Sequence, residues 1–146
     1  MKIYIGSDHG GFELKQALVP FLIDLGHEVD DQGTDSSASV DYPNYAKKVG
    51  QAVVADKVSL GIVICGTGIG ISLAANKVKG IRCALLSDVV SARLTREHND
   101  TNMMAMGAGI VGNILAQQIV DTWLGTEFSG GERHQRRIDK MMALEK

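Results

Sequence analysis

Ser59-Leu60-Gly61-Ile62-Val63-Ile64-Cys65, followed by Gly66-Thr67-Gly68-Ile69-Gly70-Ile71-Ser72, passes from a continuous apolar run into alternating glycines. An apolar run of strand length, with no polar residue alternating along it, predicts a β-strand buried on both faces, hence a central strand of a parallel sheet. The glycines after it predict a tight turn into a helix, expected to continue to Lys79. Strand, glycine turn and helix make up half of a β-α-β unit.

Working outward in both directions, the same unit recurs. Lys2–Gly6 reads as a strand, and Leu14, Leu18, Phe21, Leu22 and Leu25 recur at helical spacing up to Gly26. Pro20 falls inside that pattern and should kink the helix or delay its regular part. His27–Asp31 reads as a second strand, Gly33–Pro43 as a polar connection, and Tyr45, Val49, Ala52 and Val53 as a helix face. Beyond the central unit come a strand at Ile81–Leu86, a helix at Val89–Glu97 and a strand at Met103–Met106. Val111, Leu115, Ile119, Val120 and Trp123 stripe the next helix, closed by Gly125. Glu132–Lys146 is a charged helix with Ile138, Met141, Met142 and Leu144 on its apolar face. Five such alternations predict a three-layer, doubly wound α/β fold: a Rossmann-like, five-stranded parallel sheet with a C-terminal helix, as one domain over residues 1–146.

Composition narrows the classes of function. With 45% hydrophobic and 22% charged residues the chain has the balance of a folded globular protein. A formal charge of −2 supplies no basic field for nucleic acid. Apolar runs are far shorter than the ~20 residues needed to cross a bilayer. The first residues read as a strand and not as a signal peptide, and two cysteines form no disulfide framework, so a reducing cytoplasm is expected. Glycine is the outlier, at 17 of 146 residues, against ~7% in average proteins.

In open α/β sheets, ligands bind beyond the carboxyl ends of strands. Two such ends are unusual here. After the central strand, Gly66, Gly68 and Gly70 allow backbone N–H groups to converge on an anion; the plainer alternative is a tight turn and nothing more. Cys65 stands where strand passes into helix, a location that favours a thiolate, although most free cysteines are small buried hydrophobes. Cys83, expected in mid-strand, is assigned that structural place. After the first strand, Asp8 and His9 could hold sugar hydroxyls or an anion, or cap a helix. His27 has no polar company and reads as structural. A dinucleotide reading also exists, with Asp88 as a ribose-binding acid, but the glycine spacing is Gly-x-Gly-x-Gly and not the dinucleotide fingerprint.

His98-Asn99-Asp100-Thr101-Asn102 joins a helix to an apolar strand, where His and Asn also suit a plain helix terminus. In a parallel sheet this connection lies on the edge opposite Cys65. If His98 is catalytic, it serves a neighbouring subunit. Arg133, His134, Arg136 and Arg137 form a local basic cluster that would suit a phosphate, or a solvated helix face.

Taken together, Gly6-Ser7-Asp8-His9-Gly10-Gly11, Asp41-Tyr42-Pro43, Cys65 to Ser72, Ala74-Ala75-Asn76-Lys77 and His98 to Asn102 resemble the ribose-5-phosphate isomerase B family, which includes the galactose-6-phosphate isomerase subunits. The resemblance extends from about Lys2 to Arg137. It implies aldose–ketose isomerisation of ribose 5-phosphate and ribulose 5-phosphate through an enediolate, without metal, nucleotide or other cofactor. It also implies a homodimer, or a dimer of dimers, with sites shared between subunits. By position, Cys65 would be the proton-transferring base and His98 would assist ring opening, with Asp8 and Thr67 around the sugar oxygens. Tyr42 and Asn99 would line the site. The backbone of Gly66, Gly68 and Gly70, with Asn99, would hold the enediolate oxygen, and His9, Arg133 and Arg137 the phosphate. Two departures stand out: Gly109 replaces an arginine common in the family, and Glu132 intervenes between Gly130-Gly131 and Arg133. A galactose-6-phosphate isomerase subunit and a nucleotide-binding regulatory module are the alternative readings.

Overall fold

The computed structural model describes residues 1–145. Its elements are β1 (Lys2–Ser7), α1 (Phe12–Asp24), β2 (Glu28–Asp31), α2 (Tyr42–Ala55), β3 (Leu60–Cys65), α3 (Ile69–Ala75), β4 (Cys83–Leu85), α4 (Val89–Asn99), β5 (Met103–Gly107), α5 (Asn113–Leu124) and α6 (Glu132–Met142). The five strands form one parallel sheet in the order β2-β1-β3-β5-β4, with β3 at its centre. Every residue of β3 is buried, as its apolar run predicts.

Strand periodicity divides the core into two layers. Leu60, Ile62 and Ile64 of β3 face α1, α4 and α5, where they meet Leu18, Leu22, Ala92, Ile119 and Trp123. Val63 and Cys65 face the other way, onto Ala46, Val49 and Val53 of α2 and Ile71 and Ala75 of α3. The doubly wound architecture expected from the alternation is therefore the one observed. α6 lies outside these layers, against α4. Among the described residues, no helix is long and apolar enough to cross a membrane.

Several boundaries differ from expectation, each for a local reason. α1 continues through Pro20, which sits on its exposed face, where water can satisfy the carbonyl left without an amide partner. α3 stops at Ala75 and does not reach Lys79. There the Asn76 carboxamide bridges the helix to the backbone of Cys83, donating to the carbonyls of Ser72 (3.2 Å) and Cys83 (2.9 Å) and accepting from Cys83 N–H (2.8 Å). That exchange satisfies main-chain groups of the edge strand β4, which is shorter than predicted and begins at Cys83. The apolar periodicity of α1 also gives no sign that Lys15 is fully buried, its Nζ 2.6 Å from Asp31 Oδ2.

Candidate active site

Between β1 and β3 the winding of the sheet changes direction, so the loops leaving these two strands open a crevice at the carboxyl edge. The loop after β1 is tied to its neighbour: Asp8 N–H donates to the Ile64 carbonyl (3.2 Å). The buried Asp8 carboxylate accepts from Gly11 N–H (3.1 Å), which caps a 3-10 turn over His9–Gly11. A Cβ on Gly10 would stand 3.2 Å from the Gly66 nitrogen, so the two loops are in van der Waals contact. His9 is exposed, and its Nδ1 accepts from Val40 N–H (3.2 Å). That bond places the proton of a neutral ring on Nε2, facing away from Val40.

Cys65 ends β3 with only 5% of its surface exposed. Gly68 N–H donates to its Sγ at 3.2 Å, which fixes the sulfur at the mouth of the glycine turn. Gly68 can deliver that N–H because its φ is +78°, in the left-handed region, and because it has no side chain. A Cβ there would lie 2.6 Å from both Leu85 Cδ1 and the Met106 carbonyl carbon. Thr67 Oγ1 accepts from Ile69 N–H (3.2 Å), which leaves its hydroxyl proton available to a ligand. Tyr42 opens α2 and lies over Gly70: a Cβ on Gly70 would come within 2.6 Å of the tyrosine Cζ.

A third loop supports this edge, and it carries Gly109, one of the two departures from the family pattern. Ala108 N–H donates to the Cys65 carbonyl and Gly109 N–H to the Gly66 carbonyl, both at 2.9 Å. Gly109 thus stands beside the glycine turn, where it offers backbone and no cation. A further signal in the sequence is the pair of glycines, Gly107 and Gly109, at the end of the strand that pairs with β3.

The second group of site residues lies elsewhere. α4 leaves the carboxyl end of β4 and returns to the amino edge of the sheet, where Asp100 (φ +45°) stops it and Asn102 O accepts from Gly61 N–H (2.9 Å). His98 and Asn99 occupy that terminus, separated from Cys65 by the length of β3, roughly 17 Å at strand rise. His98 stacks on His134 of α6, ring centroids 4.4 Å apart and 11° from parallel. The chain before α6 is anchored by Ser129, whose N–H and hydroxyl both donate to the Glu97 carbonyl (3.2 and 2.8 Å). Arg133 and Arg137, four residues apart on α6, share a helix face, and both are exposed. Glu132 takes the first helical position, where the helix dipole favours an acid. His134 is held below the ordinary imidazole range by desolvation first, then by positive charge on His98, Arg133 and Arg137.

So Asp8, His9, Tyr42, Cys65, Thr67, Gly66, Gly68 and Gly70 gather at the carboxyl edge, and His98, Asn99, Arg133 and Arg137 at the amino edge. One copy of the chain does not bring the groups together. His134 reads in the sequence only as part of a basic run; its contact with His98 is a tertiary event. Asp88 caps α4, its carboxylate accepting from Ser91 N–H at 2.6 Å and held below the usual range chiefly by that bond. This gives the acid of the dinucleotide reading a structural task. Cys83 opens β4, and burial pushes its thiol up to about 12, far from a reactive thiolate.

Comparisons with known proteins identify the family of the chain. The family model for ribose/galactose isomerases matches residues 3–141. Ribose-5-phosphate isomerase B of Escherichia coli is 52% identical, over 99% of this chain and 96% of its own length. Among solved structures, ribose-5-phosphate isomerase B of Clostridium thermocellum superposes with a TM-score of 0.97 at 54% identity, covering 99% of this chain and 97% of that one. The type B enzyme of Trypanosoma brucei does so with a TM-score of 0.95 at 40% identity, over 99% and 98% of the two chains. The chain belongs to the ribose/galactose isomerase family.

Proposed function

We propose that the chain is a ribose-5-phosphate isomerase whose active sites each combine the Cys65 edge of one copy with the His98 edge of another. The observation that carries this reading is the separation of the two residue groups to opposite edges of one sheet. A two-fold dimer that apposes unlike edges makes two equivalent complete sites. Relatives named ribose-5-phosphate isomerase B favour a five-carbon sugar phosphate as the substrate.

In this reading, His98 and Asp8 move the protons that open the furanose ring. The Cys65 thiolate then removes the C2 proton of the open-chain aldose. Electrons shift from the C2–H bond through C1–C2 to the carbonyl oxygen at C1, giving the enediolate. Returning the proton to C1 while the O2 proton passes to O1 yields the ketose. Negative charge develops on the sugar oxygens, where the glycine-turn N–H groups, the Thr67 hydroxyl and the Asn99 carboxamide are preorganised donors. His9, Arg133 and Arg137 take the phosphate, a remote anchor that holds C1 and C2 near Cys65. Gly109 adds no cation, so phosphate binding falls on these three, while Glu132 is occupied at the helix start.

The test is turnover of ribose 5-phosphate by the purified chain alone, with galactose 6-phosphate and allose 6-phosphate as parallel substrates. Formation of ribulose 5-phosphate supports the reading. Turnover of six-carbon substrates only, or a requirement for a second, similar subunit, would replace it with the galactose-6-phosphate isomerase alternative. Absence of turnover on all three would overturn it.

A further inference from the structure

We infer that Thr95 is a positioning residue for the isomerisation: its hydroxyl holds the Asn99 carboxamide with both N–H donors turned outward, toward the enediolate oxygen. This role for Thr95 rests on the composite site proposed for the isomerase.

An asparagine side chain presents a carbonyl on one side and an NH₂ on the other, and a half-turn about its last bond exchanges them. Only the NH₂ can stabilise a developing oxyanion; the carbonyl would oppose it with a lone pair. At a half-buried helix terminus such as that of α4, something must choose between the two orientations. Thr95 lies one turn earlier and is 8% exposed. Its Oγ1 donates to Asn99 Oδ1 at 3.1 Å. A helical threonine commonly turns its hydroxyl back to the carbonyl four residues before it; here it is directed forward, to the carboxamide oxygen. With that oxygen engaged, the two N–H groups are the ones left to face outward.

The backbone beneath is held as firmly. Arg82 Nε donates to the carbonyls of Asn99 (3.0 Å) and Asp100 (3.2 Å), and Arg82 Nη2 to Asp100 O (2.5 Å). Arg96 bonds the Thr101 carbonyl and the Asp100 carboxylate. Asn99 therefore has its main chain held by Arg82 and its carboxamide oxygen engaged by Thr95, and His98 beside it is braced by His134. Thr95 touches no substrate in this scheme; it acts through Asn99.

The experiment compares Thr95→Val, which removes the hydroxyl at nearly constant volume, with Thr95→Ser, which keeps it. Asn99→Ala and the Thr95→Val/Asn99→Ala double variant complete the cycle. Steady-state kinetics are measured on ribose 5-phosphate. Thr95→Val should lower kcat about five- to tenfold, the scale of one hydrogen bond lost from the transition state, with KM changed less than about twofold. Thr95→Ser should restore kcat. In the Asn99→Ala background, Thr95→Val should cost less than about twofold more, because the group it orients is gone. Wild-type kcat in Thr95→Val, or the same loss with and without Asn99, overturns the proposal. Should Thr95→Val fail to fold, Thr95→Ala supplies the same comparison. If Asn99→Ala keeps full kcat, the assignment of Asn99 fails and Thr95 with it. If Asn99→Ala is impaired and Thr95→Val is not, only the Thr95 inference is lost.

Discussion

At the carboxyl edge of the sheet the proposed site is built largely on main chain, packed so closely that a Cβ on Gly68 would meet the backbone of Met106 and Gly107. At the amino edge the proposed site rests on side chains of two helix ends, His98 and Asn99 on α4 and Arg133 and Arg137 on α6. The difference is one of tolerance. Backbone donors are fixed by the fold and can be lost only by deforming it. Side-chain donors hold their direction only through neighbours such as Thr95, Arg82 and His134.

The sharpest way to break this comparison is to remove the proposed base, the Cys65 thiol, from the backbone-built edge. Cys65→Ala should lower kcat by about 10²–10⁴, the ordinary range for a lost general base, with the melting temperature little changed. Retention of wild-type turnover would dismiss the thiol as the base. The next test asks whether the two edges meet across copies. Inactive Cys65→Ala and His98→Ala chains, unfolded and refolded together, should recover about a quarter of wild-type activity. Random pairing makes half of the dimers mixed, and each mixed dimer contains one site with both residues intact. No recovery, with mixed dimers demonstrated by differential tagging, would refute the shared site.

The contrast in tolerance gives a smaller effect. Gly68→Ala should destabilise the protein by about 1–3 kcal/mol, from left-handed backbone strain, and weaken the Gly68 N–H to Cys65 bond. Denaturant unfolding together with kcat measures both. An unchanged melting curve would mean that the turn is looser than its packing indicates.

The smallest expected effect concerns His134. Its pKa in the folded protein lies below the ordinary 6.5, so the unfolded chain takes up a proton first on acidification. The stability this residue contributes is complete above about pH 6.5 and is lost as pH falls through the lower folded value. Melting temperatures from pH 7.5 to 5 should fall less steeply in His134→Gln than in the wild type. Parallel curves would assign the acid sensitivity to other groups.

Much of this is legible in the sequence because it rests on local pattern. The apolar run of β3 and the glycine turn behind it mark the centre of the sheet and the Cys65 loop. Direction is legible too: a helix after a parallel strand must return to the opposite edge, which sets His98 apart from Cys65 on pattern alone. Boundaries are less legible where a long-range partner intervenes. The helical pattern of Gly66–Lys79 carries no sign that the Asn76 side chain is tied to Cys83. Nor does periodicity reveal the buried Lys15–Asp31 pair, since lysine reads as solvent-facing until its partner strand is in place.

Residue order by itself determines the set of chemical groups and the edge on which each sits, because strand burial, glycine turns and helix direction are short-range consequences of local sequence. Only the folded chain decides the orientation of those groups: the Gly68 N–H on sulfur, the Tyr42 ring over Gly70, the His98–His134 stack and the Thr95 hydroxyl on Asn99. Two of these four join residues within one turn of each other along the chain, yet even their directions depend on how the helices pack on the sheet. Spacing along a chain limits which groups can meet; packing in three dimensions selects the atoms that do.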